Sequence, residues 1–460
     1  MGAENKDALL GRLRTGEPLS GRQQLRLTMA LAVPAILAQL SSVLMQYIDS
    51  AMVGRLGAGP SASIGLMSTC IWLLNGFTMA VITGFSVQVA HACGARDFTR
   101  ARLVMRQGLV TVFLFAMLFG ALGASLSGVL PGWFGGDEGI RADASAYFLV
   151  VCLFIPIGAT GLAAAYMLQA SGNMKVPSIT YVCMGVLDVI FNYIFIFVLD
   201  MGVVGAAWGT GLAEASAAVF GIWYVTRRSK DLKLRGEPGP LLPEVQTRRK
   251  AVRITGPLWL QNVVMRGAYV MSTIIVAPLG AVAIAANAFA ITAESFCYMP
   301  GYGLEEAATT LIGQSLGAQR KDLSRRFAWL SMGMGVLIMS LLAVVLYIFA
   351  PVIMGWLSID PDVVALGARV LRIEAFAEGF YALSIVGFGV CAGAGDTMVP
   401  TVLNLASMWV VRIGLALLLT PALGLVGYWI AMAIDLTVKG IAFLIYVRSG
   451  RWLRRSISGN

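Results

Sequence analysis

Uncharged stretches long enough to cross a bilayer alternate with short charged ones along most of this chain. No charge occurs in Leu27 to Ile48, Leu56 to Ala90, Gln107 to Gly136, Ala144 to Met174 or Phe327 to Ile359. An α-helix rises ~1.5 Å per residue and needs about 20 apolar residues to span hydrocarbon. Several of these runs exceed that length. Inside lipid, backbone polar groups must pair within their own segment, so the pattern predicts helices. A membrane barrel would instead alternate polar and apolar residues in short segments. The pattern predicts twelve transmembrane helices near 27–52, 63–90, 103–131, 143–168, 178–199, 203–226, 252–276, 284–313, 327–352, 367–392, 401–419 and 427–447.

Composition agrees. Residues are 58% hydrophobic and 13% charged, with mean hydropathy +0.78, against about 25% charged in ordinary soluble domains. The net charge of +10 would suit a nucleic-acid binder, but its placement follows topology. With both termini in the cytoplasm, the inside segments (1–26, 91–102, 169–177, 227–253, 314–326 and 448–460) hold 26 Lys/Arg, and the outside loops hold only Arg55 and Arg141. An excess of Lys/Arg marks the cytoplasmic side. The six cysteines lie in or at the edge of helices without paired spacing, as small packing residues do. The polar, basic N-terminal segment precedes a retained span, and no removable signal peptide is expected.

The two halves repeat one another. Pro34 matches Pro257, Leu56-Gly57-Ala58 matches Leu279-Gly280-Ala281, and Gly94-Ala95 matches Gly317-Ala318. Gly132-Trp133, Gly172 and Pro177 match Gly355-Trp356, Gly395 and Pro400, every pair 223 residues apart. Gly202 and Gly205 match Gly424 and Gly427 at offset 222. Six helices per unit give both copies the same orientation, and such parallel repeats commonly hold substrate between the halves. The expected organisation is a cytoplasmic segment 1–26, an N-lobe 27–226, a linker 227–251 rich in proline and charge, a C-lobe 252–448 and a tail 449–460.

The stretch Tyr47-Ile48-Asp49-Ser50-Ala51-Met52-Val53-Gly54-Arg55-Leu56-Gly57 resembles the end of helix 1 in the multidrug and toxic compound extrusion (MATE) family. So do Ala170-Ser171-Gly172-Asn173-Met174-Lys175-Val176-Pro177 and Gly393-Ala394-Gly395-Asp396-Thr397-Met398-Val399-Pro400, and Gly313-Gln314-Ser315-Leu316-Gly317-Ala318 is similar to a cytoplasmic stretch of that family. The likeness runs from about residue 27 to 447. It implies an all-α membrane fold of two pseudo-symmetric six-helix lobes around a V-shaped cavity. It also implies export of organic cations against entry of H+ or Na+.

Ionisable groups at membrane depth cost roughly 2.5–3.5 kcal/mol each on insertion scales, so each is a functional candidate. The N-terminal half has Asp49, Asp188 and Glu214. Asp188 and Asn192 share a helical face, as do Thr210 and Glu214, being four residues apart. Oxygens converging from helices 1, 5 and 6 suit a small hard cation or a shared proton, since carboxylates withdrawn from water and set beside one another hold protons more readily. The resemblance places a coupling site at Asp49, Asp188, Asn192 and Thr210, with Na+ as the one metal expected there. The family's helix-5 order is Asn then Asp; here it is reversed, which alters the detailed geometry. The C-terminal half carries Arg266, Glu294, Glu305, Glu306, Arg372, Glu374, Glu378, Arg412 and Asp435, with Lys439 on the last helix. Opposite signs there predict buried pairs. The places where some family members bind sodium on helices 7 and 10 hold Met265 or Arg266, and Tyr381, so coupling is expected in the N-terminal half. Tyr47, Met265, Tyr269, Glu294, Glu374, Glu378 and Tyr381 are candidate substrate-cavity residues. Glu305 and Glu306, near the cytoplasmic end of helix 8, read as solvated. Pro34 and Pro257 lack a backbone donor and mark places where helices 1 and 7 can bend.

A secondary antiporter is the leading reading: a monomer in the cell membrane that binds small organic cations, needs no cofactor and uses H+ or Na+ for coupling. A lipid-linked precursor flippase of related architecture is the alternative; it requires a cavity ringed by basic residues. An intramembrane enzyme is disfavoured by the lone histidine, His91, and an ATP-driven pump by the lack of a Gly-x-x-x-x-Gly-Lys-Ser/Thr loop.

Overall fold

The computed structural model describes residues 5–234 and 239–456; Pro238 of the expected linker and the two ends of the chain lie outside them. Among the described residues, eleven helices are long and apolar enough to cross a membrane, and a bent pair makes a twelfth. The first to sixth spans are Gly21–Gly54, Gly59–Gly94, Phe98–Leu126, Glu138–Ala170, Lys175–Val198 and Gly202–Arg228. The seventh to ninth are Val245–Leu279, Ala281–Gly317 and Lys321–Leu357, and the eleventh and twelfth are Met398–Leu423 and Leu425–Ser449. The tenth differs from the unbroken helix expected over 367–392. It consists of Pro361–Glu374 and Glu378–Ala394, turned by 60° at a short break. Hydropathy reports composition along the segment and is blind to this change of path. The polar N-terminal segment also contains a helix, Lys6–Thr15, which buries Leu9, Leu10 and Leu13 on one side.

Contacts divide the chain into two compact units, Ser41–Trp259 and Leu260–Asn460 with Met1–Leu40. In the first of these, the fourth span packs against the second, third and sixth, and the sixth against the fifth. Phe85, Met105, Phe148 and Met167 fill its core. Trp259 donates to the Phe77 carbonyl at 2.9 Å and stacks on Phe115. In the other unit the eighth span packs on the ninth and tenth, and the twelfth on the tenth and eleventh. Met354, Leu371 and Trp429 are buried there. Residues before Leu40 join this unit for a visible reason. Gly303 lets the backbone of Ala35 and Ile36 approach so closely that a Cβ would lie 2.6 Å from the Ile36 nitrogen. Gln39 donates to Glu306 at 2.9 Å, and Arg14 donates to Gln314 at 3.1 Å.

The sequence repeat has a backbone counterpart. Gly57 and Gly280 precede the second and eighth spans with φ of 111° and 89°, and Gly172 and Gly395 end the fourth and tenth with 88° and 83°. These left-handed conformations strain any residue with a Cβ, so glycine recurs at matched positions. Large apolar side chains such as Leu118, Val410 and Leu418 stay exposed on the outer helix faces, as hydrocarbon solvent permits.

Candidate functional site

Two sets of polar side chains lie at membrane depth, one in each unit. In Ser41–Trp259 the centre is Asn192, on the last α-helical turn of the fifth span. Its Nδ2 lies 3.0 Å from Asp49 Oδ1, 3.2 Å from Asp188 Oδ2 and 3.5 Å from Thr210 Oγ1, donating toward all three. Asp188 and Asn192 are buried at 1% and 2% exposure, and Asp49 is half-buried. Four of the five residues expected to couple a cation therefore share one amide. The reversed Asp188–Asn192 order preserves the gathering, because both side chains lie on the helix face that meets the first span.

Local packing explains the convergence. The sixth span presents glycine to the fifth: a Cβ at Gly205 would sit 2.6 Å from the Phe195 carbonyl, and one at Gly209 would overlap the Asn192 side chain. Small residues allow helix backbones to approach this closely in membranes. Immediately after Asn192 the fifth span widens into a π turn at Ile194–Val198, a feature common at functional sites. Neither glycine-to-asparagine contact nor π turn has a sequence signal beyond glycine spacing.

The donor count is unfavourable as it stands. Asn192 has two amide hydrogens for three acceptors, and both Asp188 Oδ1 and Asn192 Oδ1 are buried without a hydrogen-bond partner. A proton or a hard cation would satisfy oxygens of this kind. Among the described residues no group of three or more His, Cys, Asp and Glu could hold a metal ion. The oxygens here come from two acids, an amide and a hydroxyl.

Glu214 stands beside this cluster. Its Oε2 lies over Gly158 of the fourth span, where a Cβ would come within 2.9 Å, and its charge acts on Asp188. Tyr147 of the fourth span lies in the electrostatic field of Glu214, Asp49 and Asp188. Sequence reasoning missed it, because nothing in the local pattern joins the fourth helix to the other three. Tyr47, two residues before Asp49, is not among the residues that Asn192 joins.

The unit containing Leu260–Asn460 has a cavity of about 250 Å³. Of the expected cavity residues, Met265, Tyr269 and Tyr381 line it; Glu294, Glu374 and Glu378 do not. Those three glutamates are instead almost fully buried, at 5%, 0% and 0% exposure. Glu374 and Glu378 flank the break in the tenth span, and none of their four carboxylate oxygens meets a nitrogen or oxygen donor, although the Cys297 thiol interacts with Glu378. Glu305 and Glu306, read from the sequence as solvated, are both partly exposed: Glu305 lines the cavity and Glu306 accepts the Gln39 amide. The helix they occupy runs to Gly317.

Buried opposite charges do pair. Arg412 Nε lies 2.9 Å from Asp435 Oδ2, Lys439 Nζ lies 3.5 Å from the same oxygen, and Ser407 donates to Oδ1. Ser407 and Arg412 both belong to a π turn in the eleventh span, Ser407–Ile413. Arg412 and Lys439 line the cavity, together with Arg266. Pro34 and Pro257 lie inside continuous helices, Gly21–Gly54 and Val245–Val276.

Comparison with known proteins gives one consistent match. The family model described as MatE matches residues 34–194 and 257–418, two segments that begin at the repeat-related prolines. The probable multidrug resistance protein NorM of Thermotoga maritima is 25% identical over 437 residues, covering 93% of each chain. The multidrug resistance protein MdtK of Yersinia enterocolitica is 26% identical over 452 residues, covering 94% of this chain and 96% of its own. The crystal structure of the Vibrio cholerae MATE transporter VcmN in the bent form matches with a TM-score of 0.85 at 21% identity, over 97% of this chain and 98% of that one.

Proposed function

The chain belongs to the MatE family of multi-pass membrane transporters, and from that premise we propose that it is a secondary antiporter exporting organic cations and drugs in exchange for H+ or Na+. It works by alternating access, as a monomer in the cell membrane with both termini cytoplasmic. The names of its relatives support drug export over the flippase alternative.

One observation carries the reading: two carboxylates from different helices are held around a single amide with more acceptors than donors. Such a group gains stability when a cation arrives and loses it when the cation leaves. A ligand shifts a conformational equilibrium only by its differential affinity for the two states. Asp49 is on the first span and Asp188 and Asn192 are on the fifth, so a bound ion favours whichever state brings these helices together. Competition between that state and the one that binds drug gives exchange, with reciprocal coupling between the two ligands. Asn192 positions both acids, Thr210 supplies a further oxygen, and Glu214 adds negative charge at the edge.

The test is transport of a fluorescent organic cation in proteoliposomes under separately imposed proton and sodium gradients. Wild-type protein should respond to one gradient, which identifies the coupling ion. Asp49→Asn should abolish gradient-driven transport while the protein still elutes as a folded monomer. Unchanged transport in Asp49→Asn would remove this cluster from the mechanism.

A further inference from the structure

We propose that the segment leading into the seventh span binds an anionic phospholipid of the leaflet it borders. Arg248 and Arg249 hold the lipid phosphate, and Leu241, Leu242, Val245 and Val252 meet its acyl chains. The proposal rests on the membrane fold alone, not on the coupling ion or the substrate.

Hydrogen bonds set the depth of this segment. The Pro240 carbonyl accepts from Arg106 at 3.3 Å and from Gln107 at 3.5 Å. Gln107 opens the uncharged run of the third span, so Pro240 is pinned where that helix enters hydrocarbon. Gly239 makes the approach possible, because a Cβ there would lie 2.6 Å from the Arg106 guanidinium. Leu241 and Leu242 follow at once, 59% and 61% exposed. Two adjacent leucines left so open are costly in water, but not at the edge of the acyl chains.

The helix that begins at Val245 has two faces. One packs on the second span: Gln88 donates to the Thr247 carbonyl at 3.2 Å, and Thr255 donates to the Ala80 carbonyl at 3.0 Å. Val245, Arg248, Arg249 and Val252, spaced by three, four and seven residues, share the other. The two valines are 70% and 63% exposed, and both arginines are exposed. Aliphatic groups interleaved with arginine suit the headgroup zone, where stems meet acyl chains and charged ends reach the phosphates. Residues 239–253 carry Arg248, Arg249, Lys250 and Arg253 against Glu244 alone. Neither Arg248 nor Arg249 forms an ion pair among the described residues. Basic clusters beside a span attract anionic lipid, and the guanidinium fork matches phosphate. A zwitterionic lipid brings its own cation to the site and gains less.

The test is native mass spectrometry of the full-length protein in detergent with phosphatidylglycerol or phosphatidylcholine of identical acyl chains. Wild-type protein should retain phosphatidylglycerol ~10-fold more strongly. Arg248→Gln with Arg249→Gln should bring the two lipids within about threefold of each other. Leu241→Ser with Leu242→Ser should weaken both lipids ~5-fold and keep the preference. As a control, Arg451→Gln with Arg454→Gln, exposed arginines of the tail, should leave phosphatidylglycerol binding within about twofold of wild type. Every substituted side chain is exposed, so thermal unfolding of each variant should match wild type and lost binding is not lost folding. Equal retention of the two lipids by wild type would overturn the proposal. So would equal losses in the two arginine pairs, since charge anywhere on the protein would then suffice. Displacement of phosphatidylglycerol by inorganic phosphate would assign the arginines to a free anion. A dimer that disappears in the leucine variant would assign the face to a second copy of the chain. Either result overturns the lipid site.

Discussion

Asn192 has fewer hydrogens than the three acceptors it faces, so at any moment one of Asp49, Asp188 and Thr210 lacks its share. That imbalance gives a testable energetic signature. Asn192→Ala removes the shared donor and leaves two carboxylates without it, a loss of ~1–3 kcal/mol. Gradient-driven transport should then fall between about 5-fold and 150-fold. Adding Asp49→Asn to Asn192→Ala should cost less than the two changes separately, because residues in contact are not additive. A double-mutant cycle on thermal unfolding in detergent checks this, and strict additivity would mean that the bond seen between the two side chains contributes nothing to holding the cluster together. Much of this site was legible at the residue scale. Four-residue spacing put Asp188 and Asn192 on one helical face, and charge in an apolar run singled out Asp49. Tyr147 was not legible, since its place near the acids depends on how the fourth span packs. Nor was the place of Glu305 in a cavity wall legible, since that depends on which helices pack around the eighth span.

Helix pairs, not single side chains, decide how close the fifth and sixth spans come. Gly209 has no side chain to pack, so no pattern of apolar positions could reveal its part; the overlap appears only when a Cβ is placed there. Gly209→Ala should therefore lower stability by ~1–3 kcal/mol, the usual cost of overpacking, and depress transport with it. Gly333→Ala is the matched control: it too lies within a helix, but a Cβ there meets no neighbour. That change should leave stability equal or raise it by up to about 1 kcal/mol. Thermal unfolding of both variants in one detergent separates them, and equal midpoints would contradict the close approach. Breaks were the least legible element feature. Proline is the familiar marker, yet Pro34, Pro257, Pro300 and Pro351 all sit inside continuous helices. The break in the tenth span falls instead at Ala375-Phe376-Ala377, between two buried glutamates and without a proline. The backbone there is settled by packing and charge placement, which a hydropathy window cannot register.

On the scale of the molecule, hydrocarbon itself made the fold readable: spans must be long, apolar and helical, and a repeat of half the chain must reappear as repeated backbone, as Gly57 with Gly280 and Gly172 with Gly395 show. The same reasoning predicts which side faces the cytoplasm. The segments expected inside hold 26 Lys/Arg, those expected outside only Arg55 and Arg141, and short loops so biased resist translocation. Alkaline phosphatase fused after Arg141 should therefore be active, since that enzyme matures only across the membrane. Fused after Asn460 it should be inactive, while a fluorescent protein at the same place should fold and emit. The helix count enters this expectation directly: twelve spans return the C-terminus to the side of the N-terminus, whereas eleven would not. An active phosphatase at Asn460 would thus mean that the bent pair Pro361–Glu374 and Glu378–Ala394 enters and leaves by one face instead of crossing. Activity at Asn460 together with inactivity at Arg141 would instead invert the whole chain. The two fusions separate a wrong count from a wrong orientation, because Arg141 precedes the break and Asn460 follows it.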